Sequence, residues 1–171
     1  MSIEPVNSFL GYHYDSRQKV LRLSPDVYNG RSLASLGIAA HEVGHAIQDA
    51  KAYAPLALRN GLVPMASVGS NLAFGFIIAG ALIAFLRPLA IVGLMMWAVV
   101  VLFQIINLPV EFNASRRARA VLRTSGMITQ DEDHTVAKVL NAAAMTYVAA
   151  TITAALQLLY WAMIVFGGRR N

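Results

Sequence analysis

The chain of 171 residues contains no cysteine, which removes disulfide frameworks, thiolate nucleophiles and thiolate metal ligands from consideration. Charge is also scarce. Charged residues make up 13% of the chain, against about 25% in an ordinary soluble domain, while hydrophobic residues reach 57%. That balance excludes an ordinary soluble fold and marks a membrane protein. Only nine Asp and Glu are present, so any acid–base or metal site draws on a short roster. The N-terminus shows no secretory signal pattern, because Ser2 to Asn7 is polar and contains Glu4 and Pro5. An internal repeat, a low-complexity tract and a soluble second domain are all missing as well.

What is present is three long apolar runs. They cover about residues 68–86, 89–108 and 142–166, each near the ~20 residues that a spanning helix needs. Arg87-Pro88 or little more separates the first two, which therefore read as a membrane hairpin. Small residues recur through the first run as Gly69/Ala73, Gly75/Ala79 and Gly80/Ala84, a spacing that lets helices approach closely and is expected to serve packing within one bundle. The fold class expected is mainly α: a multipass helical bundle forming a single membrane-embedded domain over 1–171, with a short β segment near the N-terminus.

Ahead of these runs stands His41-Glu42-Val43-Gly44-His45, which fits the HExxH pattern. On a helix, four residues advance about 400°, so both imidazoles project from one face, one turn apart, and can grip a single ion. Glu42 then sits beside the ion's open position as general base, where zinc lowers the pKa of water to roughly 7. Asn29, Gly30 and Ser32 supply turn and N-cap chemistry, and 33–50 is predicted as the helix. Gly44 costs roughly 1 kcal/mol relative to Ala in a helix, but between two ligands it leaves room for close approach.

A zinc site needs a third protein ligand, and the candidates are Asp49, Glu111, Asp131, Glu132, Asp133, His13 and His134. An out-and-back hairpin returns Glu111 to the membrane face where His41 and His45 lie, which favours Glu111. Asp49, one turn beyond His45, is better placed to hold an imidazole N–H or to be solvated. Thr129 and Glu132 have capping-box spacing, so Asp131-Glu132-Asp133 reads as a helix start, with His134 on its surface. His13 precedes the alternating stretch Lys19 to Leu23, which reads as a short strand ended by Ser24-Pro25. Such a strand pairs within the protein, or at an exposed edge takes an extended substrate. Pro109 can bend the second span near its end, and Ser125-Gly126 reads as a helix stop. Tyr147 and Arg116 read first as structural, an interfacial aromatic at the head of a span and a solvated or headgroup-facing charge, with oxyanion donor as the alternative.

The runs HYDSRQKVLRLSPDVY (13–28), AAHEVGHAIQDA (39–50), LPVEFNASRRA (108–118) and LNAAAMTYVAA (140–150) resemble those of the neutral zinc metallopeptidase family of membrane proteins. The resemblance covers nearly the whole chain. It implies a gluzincin-like zinc peptidase with His41 and His45 as metal ligands, Glu42 as catalytic base and Zn2+ as cofactor. A more distant similarity to HtpX-type membrane peptidases, whose third ligand opens an E-x-x-A-D run, points to Glu111 through Glu111-Phe112-Asn113-Ala114-Ser115. Ser115 stands where that pattern has Asp, so the support a carboxylate gives there must come from elsewhere or be weaker. The family usually begins with a further membrane segment, which this chain is expected to lack.

Eleven Lys and Arg lie on the motif side of the hairpin, against Arg87, Arg169 and Arg170 on the other. The positive-inside tendency then turns the site to the cytoplasm of a bacterial cell. The cluster Arg116, Arg117, Arg119 and Arg123 is expected to meet lipid headgroups. It lacks the interleaved aromatics of a nucleic-acid surface, so no nucleic-acid partner is expected. The expected partners are a polypeptide substrate and the bilayer, with oligomeric state open. Two other functions compete with the peptidase: a catalytically silent zinc-binding scaffold, which would have no need of Glu42, and a transporter, which would be expected to carry ionisable groups inside its spans.

Overall fold

The computed structural model describes residues 1–8 and 11–167, so Arg169 and Arg170 lie outside the described residues. Its elements run β1 (Ser2–Pro5), β2 (His13–Asp15), β3 (Val20–Leu23), α1 (Pro25–Tyr28), α2 (Leu33–Ala50), α3 (Ala54–Leu82), a 3₁₀ turn (Ala84–Leu86), α4 (Arg87–Thr124) and α5 (Gln130–Gly167). The mainly α architecture with a small N-terminal sheet is the one the composition and motifs call for. Contacts gather into two compact units, 1–57 with 109–146, and 58–108 with 147–171.

In the first unit the sheet order is β1-β3-β2, with β1 parallel and β2 antiparallel to β3. The central strand buries Val20, Leu21 and Leu23. It is one residue shorter than the alternating stretch, because Lys19 takes φ +56 to close the turn from β2 and so cannot join the ladder. The Asp15 carboxylate organises that turn, accepting from the N–H groups of Arg17 and Gln18 and from the Arg22 guanidinium. Those bonds, led by the one from Gln18, hold its carboxyl down to about 2.

The motif helix α2 occupies the predicted residues. Ser32 caps it, its hydroxyl accepting from Ser35 N–H at 3.0 Å. Beneath it, Ala40 of α2, Ala118 and Leu122 of α4, and Val136 and Leu140 of α5 form one apolar core with Ile128. The stop at Ser125-Gly126 is as expected: Gly126 has φ +68, and the N–H groups of Gly126 and Met127 reach back to the carbonyls of Arg123 and Leu122. The capping box opens α5, with Glu132 N–H on Thr129 Oγ1 and Thr129 N–H on the Glu132 carboxylate.

The second unit consists of helical segments whose outward faces are apolar, with Leu72, Ile91, Met95, Ile105, Leu156 and Leu159 exposed. Among the described residues, three helices are long and apolar enough to cross a membrane. For such a segment hydrocarbon is the solvent, so an apolar exterior is the stable one. Inside, Trp97 packs with Ala73, Val100, Val101 and Ala154, lies tilted against Phe74 with ring centroids 4.7 Å apart, and donates its indole N–H to the Ala154 carbonyl at 3.0 Å.

The helices outrun the apolar runs that announced them. Hydropathy stops at the first polar residue, whereas a helix continues through it, so α3 reaches back to Ala54 past Arg59, Asn60 and Pro64. The hairpin turn also differs from expectation. The break falls at Ile83 and the 3₁₀ turn, and Arg87-Pro88 opens α4. Proline suits a first helical turn, where its missing N–H leaves no bond unmade.

Of the small residues, Gly69 and Gly80 face α4: a Cβ would stand 2.9 Å from the Met96 carbonyl oxygen and 2.6 Å from Ala90 N, respectively. Gly93 returns the contact, 2.7 Å from the Ala73 carbonyl oxygen, while Gly75 faces open space. Gly93→Ala should therefore lower the thermal midpoint of the protein in detergent. Gly75→Ala should hold it or raise it, by up to about 1 kcal/mol of helix propensity. Equal losses in both would contradict this packing.

Candidate metal centre

Within the first unit, α2 and α4 touch backbone to backbone. A Cβ on Gly44 would lie 2.4 Å from the Ala114 carbonyl oxygen, so only glycine allows this approach. The contact sits midway between Glu111 and Arg117 on α4, and it brings Glu111 onto the two motif histidines. His41 Nε2 is 3.1 Å and His45 Nε2 3.7 Å from Glu111 Oε2, and one donor atom from each residue lies within 4.8 Å of the others. Tetrahedral zinc with bonds near 2.0–2.2 Å separates its donors by about 3.3–3.5 Å, which these distances bracket. Two imidazoles and a carboxylate are also the donor set of a catalytic zinc with an open fourth position. The residues fit the ion.

Each imidazole is oriented from behind. His41 Nδ1 lies 3.1 Å from Ser115 Oγ, and His45 Nδ1 lies 3.0 Å from Gln48 Oε1. Ser115 follows Glu111 by one helical turn, so one face of α4 carries both a candidate ligand and the group that holds another. The support expected of a carboxylate at that position is supplied by a hydroxyl. Burial of the His45 ring disfavours its charged form, but the Glu111 carboxylate, with Glu42 and Gln48, outweighs it and raises its pKa above the ordinary histidine value.

Glu42 is 6% exposed, and its Oε2 accepts the backbone N–H of Tyr14 at 2.9 Å. The general-base candidate is thus tied to strand β2. Asp49 does not hold an imidazole. It accepts the Tyr14 hydroxyl at 2.6 Å and pairs with Lys19, and these two partners keep its carboxyl below the usual range. Burial and the Asp49 carboxylate push the Tyr14 phenol up to about 12. The place beside the imidazole belongs to Gln48, which charge and motif reasoning passed over because an amide carries neither signal. Its spacing, one turn past His45, was the available clue.

The remaining candidates lie elsewhere. His13 and His134 are exposed, Glu132 caps α5, and Asp133 takes a two-bond grip from Arg119 at 2.8 and 2.6 Å. The basic cluster is correspondingly reduced as a headgroup surface. Arg117 donates to Asn113 and lies over the Tyr53 ring, while Arg116 and Arg123 are exposed. Tyr147 belongs to the second unit.

Residues 1–166 match the family described as putative neutral zinc metallopeptidase. The chain belongs to that family. Zinc is the metal this family takes, and the His-His-Glu group is where this member could hold it. This metallopeptidase-family chain is also 42% identical over 167 residues to the putative membrane protease YugP of Bacillus subtilis (strain 168), an alignment spanning 98% of the chain and 74% of that protein. No solved structure matches it.

Two outcomes follow for the family's chain. Because His45 holds a proton above the ordinary histidine range, zinc uptake at neutral pH should release protons, and zinc affinity should fall as pH is lowered through that raised pKa. Calorimetric titration in buffers of differing ionisation enthalpy reads this directly, and uptake without proton release would contradict it. Gly44→Ala should abolish stoichiometric zinc binding by driving α4 off α2.

Proposed function

We propose that the protein is a zinc-dependent membrane peptidase that hydrolyses peptide bonds with Glu42 as general base and His41, His45 and Glu111 as metal ligands. The observation that carries this reading is a His-His-Glu group at zinc-donor spacing, with His45 and Glu111 buried and His41 half-buried, and a second buried carboxylate, Glu42, next to His41 in sequence. A purely structural site has no use for Glu42.

Zinc, when bound, polarises the scissile carbonyl and lowers the pKa of water to roughly 7. The chain's own residues do the rest. Glu42 Oε2 is held by Tyr14 N–H, which aims the carboxylate and leaves Oε1 to take a proton from the attacking water and pass it to the departing amine. Ser115 and Gln48 keep both imidazoles turned toward Glu111.

Strand β2 is a sheet edge, and an N–H and C=O of one strand residue point to the same side. Tyr14 N–H faces Glu42, so the Tyr14 carbonyl faces the same way and offers an extended polypeptide a main-chain partner beside the base. The apolar spans favour membrane-associated polypeptides as substrates. The excess of Lys and Arg on the motif side favours a site on the cytoplasmic face of a bacterial cell membrane. Helices α4 and α5 each contribute to both compact units, which supports treating 1–171 as one peptidase domain.

Glu42→Gln retains an oxygen for Tyr14 N–H and alters no ligand. It should keep zinc at the natural stoichiometry while cleavage of an unfolded membrane-protein substrate falls about a hundred- to ten-thousand-fold. Full cleavage by this variant, or zinc loss alone, would remove the assignment.

A further inference from the structure

Gln48 is fully buried, yet its amide is completely paired, and its partners leave it one orientation. Its Nε2 donates to the Val110 carbonyl oxygen at 2.8 Å and to Asn113 Oδ1 at 3.1 Å. A backbone carbonyl can only accept, so the amide NH2 must face α4. The other end of the chain of bonds agrees. Arg117 Nε–H, which can only donate, meets the same Asn113 oxygen at 2.7 Å, so that atom is an acceptor for Gln48 as well.

With its NH2 fixed on α4, Gln48 presents its oxygen to His45 Nδ1 at 3.0 Å. An amide oxygen only accepts, so Nδ1 carries the hydrogen and the neutral ring keeps its lone pair on Nε2, the atom facing Glu111. His41 lacks this device. Its Nδ1 meets the Ser115 hydroxyl, which can donate or accept, so Ser115 orients the ring without choosing the tautomer.

We infer that Gln48 is a positioning residue that locks His45 in its Nδ1–H tautomer, with α4 backbone and Asn113–Arg117 as the anchor, so that Nε2 is ready for the metal. The inference rests on the zinc-peptidase reading of the same site and deepens it. It also explains why an uncharged side chain occupies a position where a third carboxylate would add negative charge beside Glu42 and Glu111. A glutamine delivers the acceptor that His45 needs without bringing a charge.

The test uses the full chain in detergent. Nitrogen–proton NMR on imidazole-labelled, zinc-free protein at alkaline pH reads the neutral tautomer of His45 directly. Zinc affinity is measured by competition with a chelator for the natural chain, Gln48→Met and Ser115→Ala. We expect Nδ1–H on His45 in the natural chain and its loss in Gln48→Met. Zinc affinity should drop about ten- to a hundredfold in Gln48→Met and by less in Ser115→Ala, with the helical signal of both metal-free variants unchanged.

An Nε2–H tautomer in the natural chain would overturn the inference even if Gln48→Met failed to fold, as would zinc affinity in a folded Gln48→Met within twofold of the natural chain. The peptidase reading stands or falls separately. A locked tautomer with tight zinc but no cleavage removes the enzyme and leaves the role of Gln48. Cleavage with an unlocked tautomer does the reverse.

Discussion

The close passage of α2 over α4 at Gly44 and Ala114 is the constraint on which the first unit depends. A single added Cβ would sit 2.4 Å from a carbonyl oxygen, inside any tolerable contact. Glycine in mid-helix costs about 1 kcal/mol, and here that cost allows two backbones to meet between the two motif histidines. The separation so fixed lets a short Glu111 side chain reach both imidazoles, and it lets Gln48 hydrogen-bond a main-chain carbonyl of the facing helix. Residues Val110, Ala114 and Ala118 are fully buried along the same face, small or β-branched where a longer side chain would part the helices.

Close packing in turn obliges every buried polar group to find a partner, because desolvation without a bond costs on the order of kilocalories. The site meets that demand by linking its parts. Tyr14 ties the edge strand to both Glu42 and Asp49, and Ser115 and Gln48 tie the two imidazoles to α4 and to the end of α2. The negative charge of Glu111 draws a proton to His45, so a proton and a metal ion held at this group would compete for one nitrogen. A candidate metal centre with this electrostatic character would be sensitive to acidity.

The two units answer to different surroundings. The first buries apolar groups beneath helices that carry charge, and its ion pairs, such as Arg119 with Asp133, fasten helix ends. In the second, the helical segments turn Leu, Ile and Met outward and close on one another through glycine and an indole N–H. Large residues outside and small residues at the contacts are what a hydrocarbon solvent selects, since no hydrophobic gain remains for burying them.

Much of this was legible in the residue order, for reasons that are local. The period of helix α2, the Ser32 and Thr129–Glu132 caps, the Gly126 stop and the presence of three long apolar helices depend on neighbours within a turn or two, and the structure repeats them. The HExxH spacing likewise brings its two imidazoles together by helix geometry alone, and hairpin topology points to Glu111, which lies beside them. Tertiary structure decided what depends on residues distant in the chain. It gave Asp49 to Tyr14 and Lys19, made Ser115 a partner for His41, drew Arg117 and Arg119 of the basic cluster into internal contacts, and set the hairpin break at Ile83 ahead of Arg87. Above all it selected Gln48, whose chemistry is neutral in isolation. The facing carbonyl of Val110, 62 positions away in sequence, and the side-chain oxygen of Asn113 determine which way its amide points.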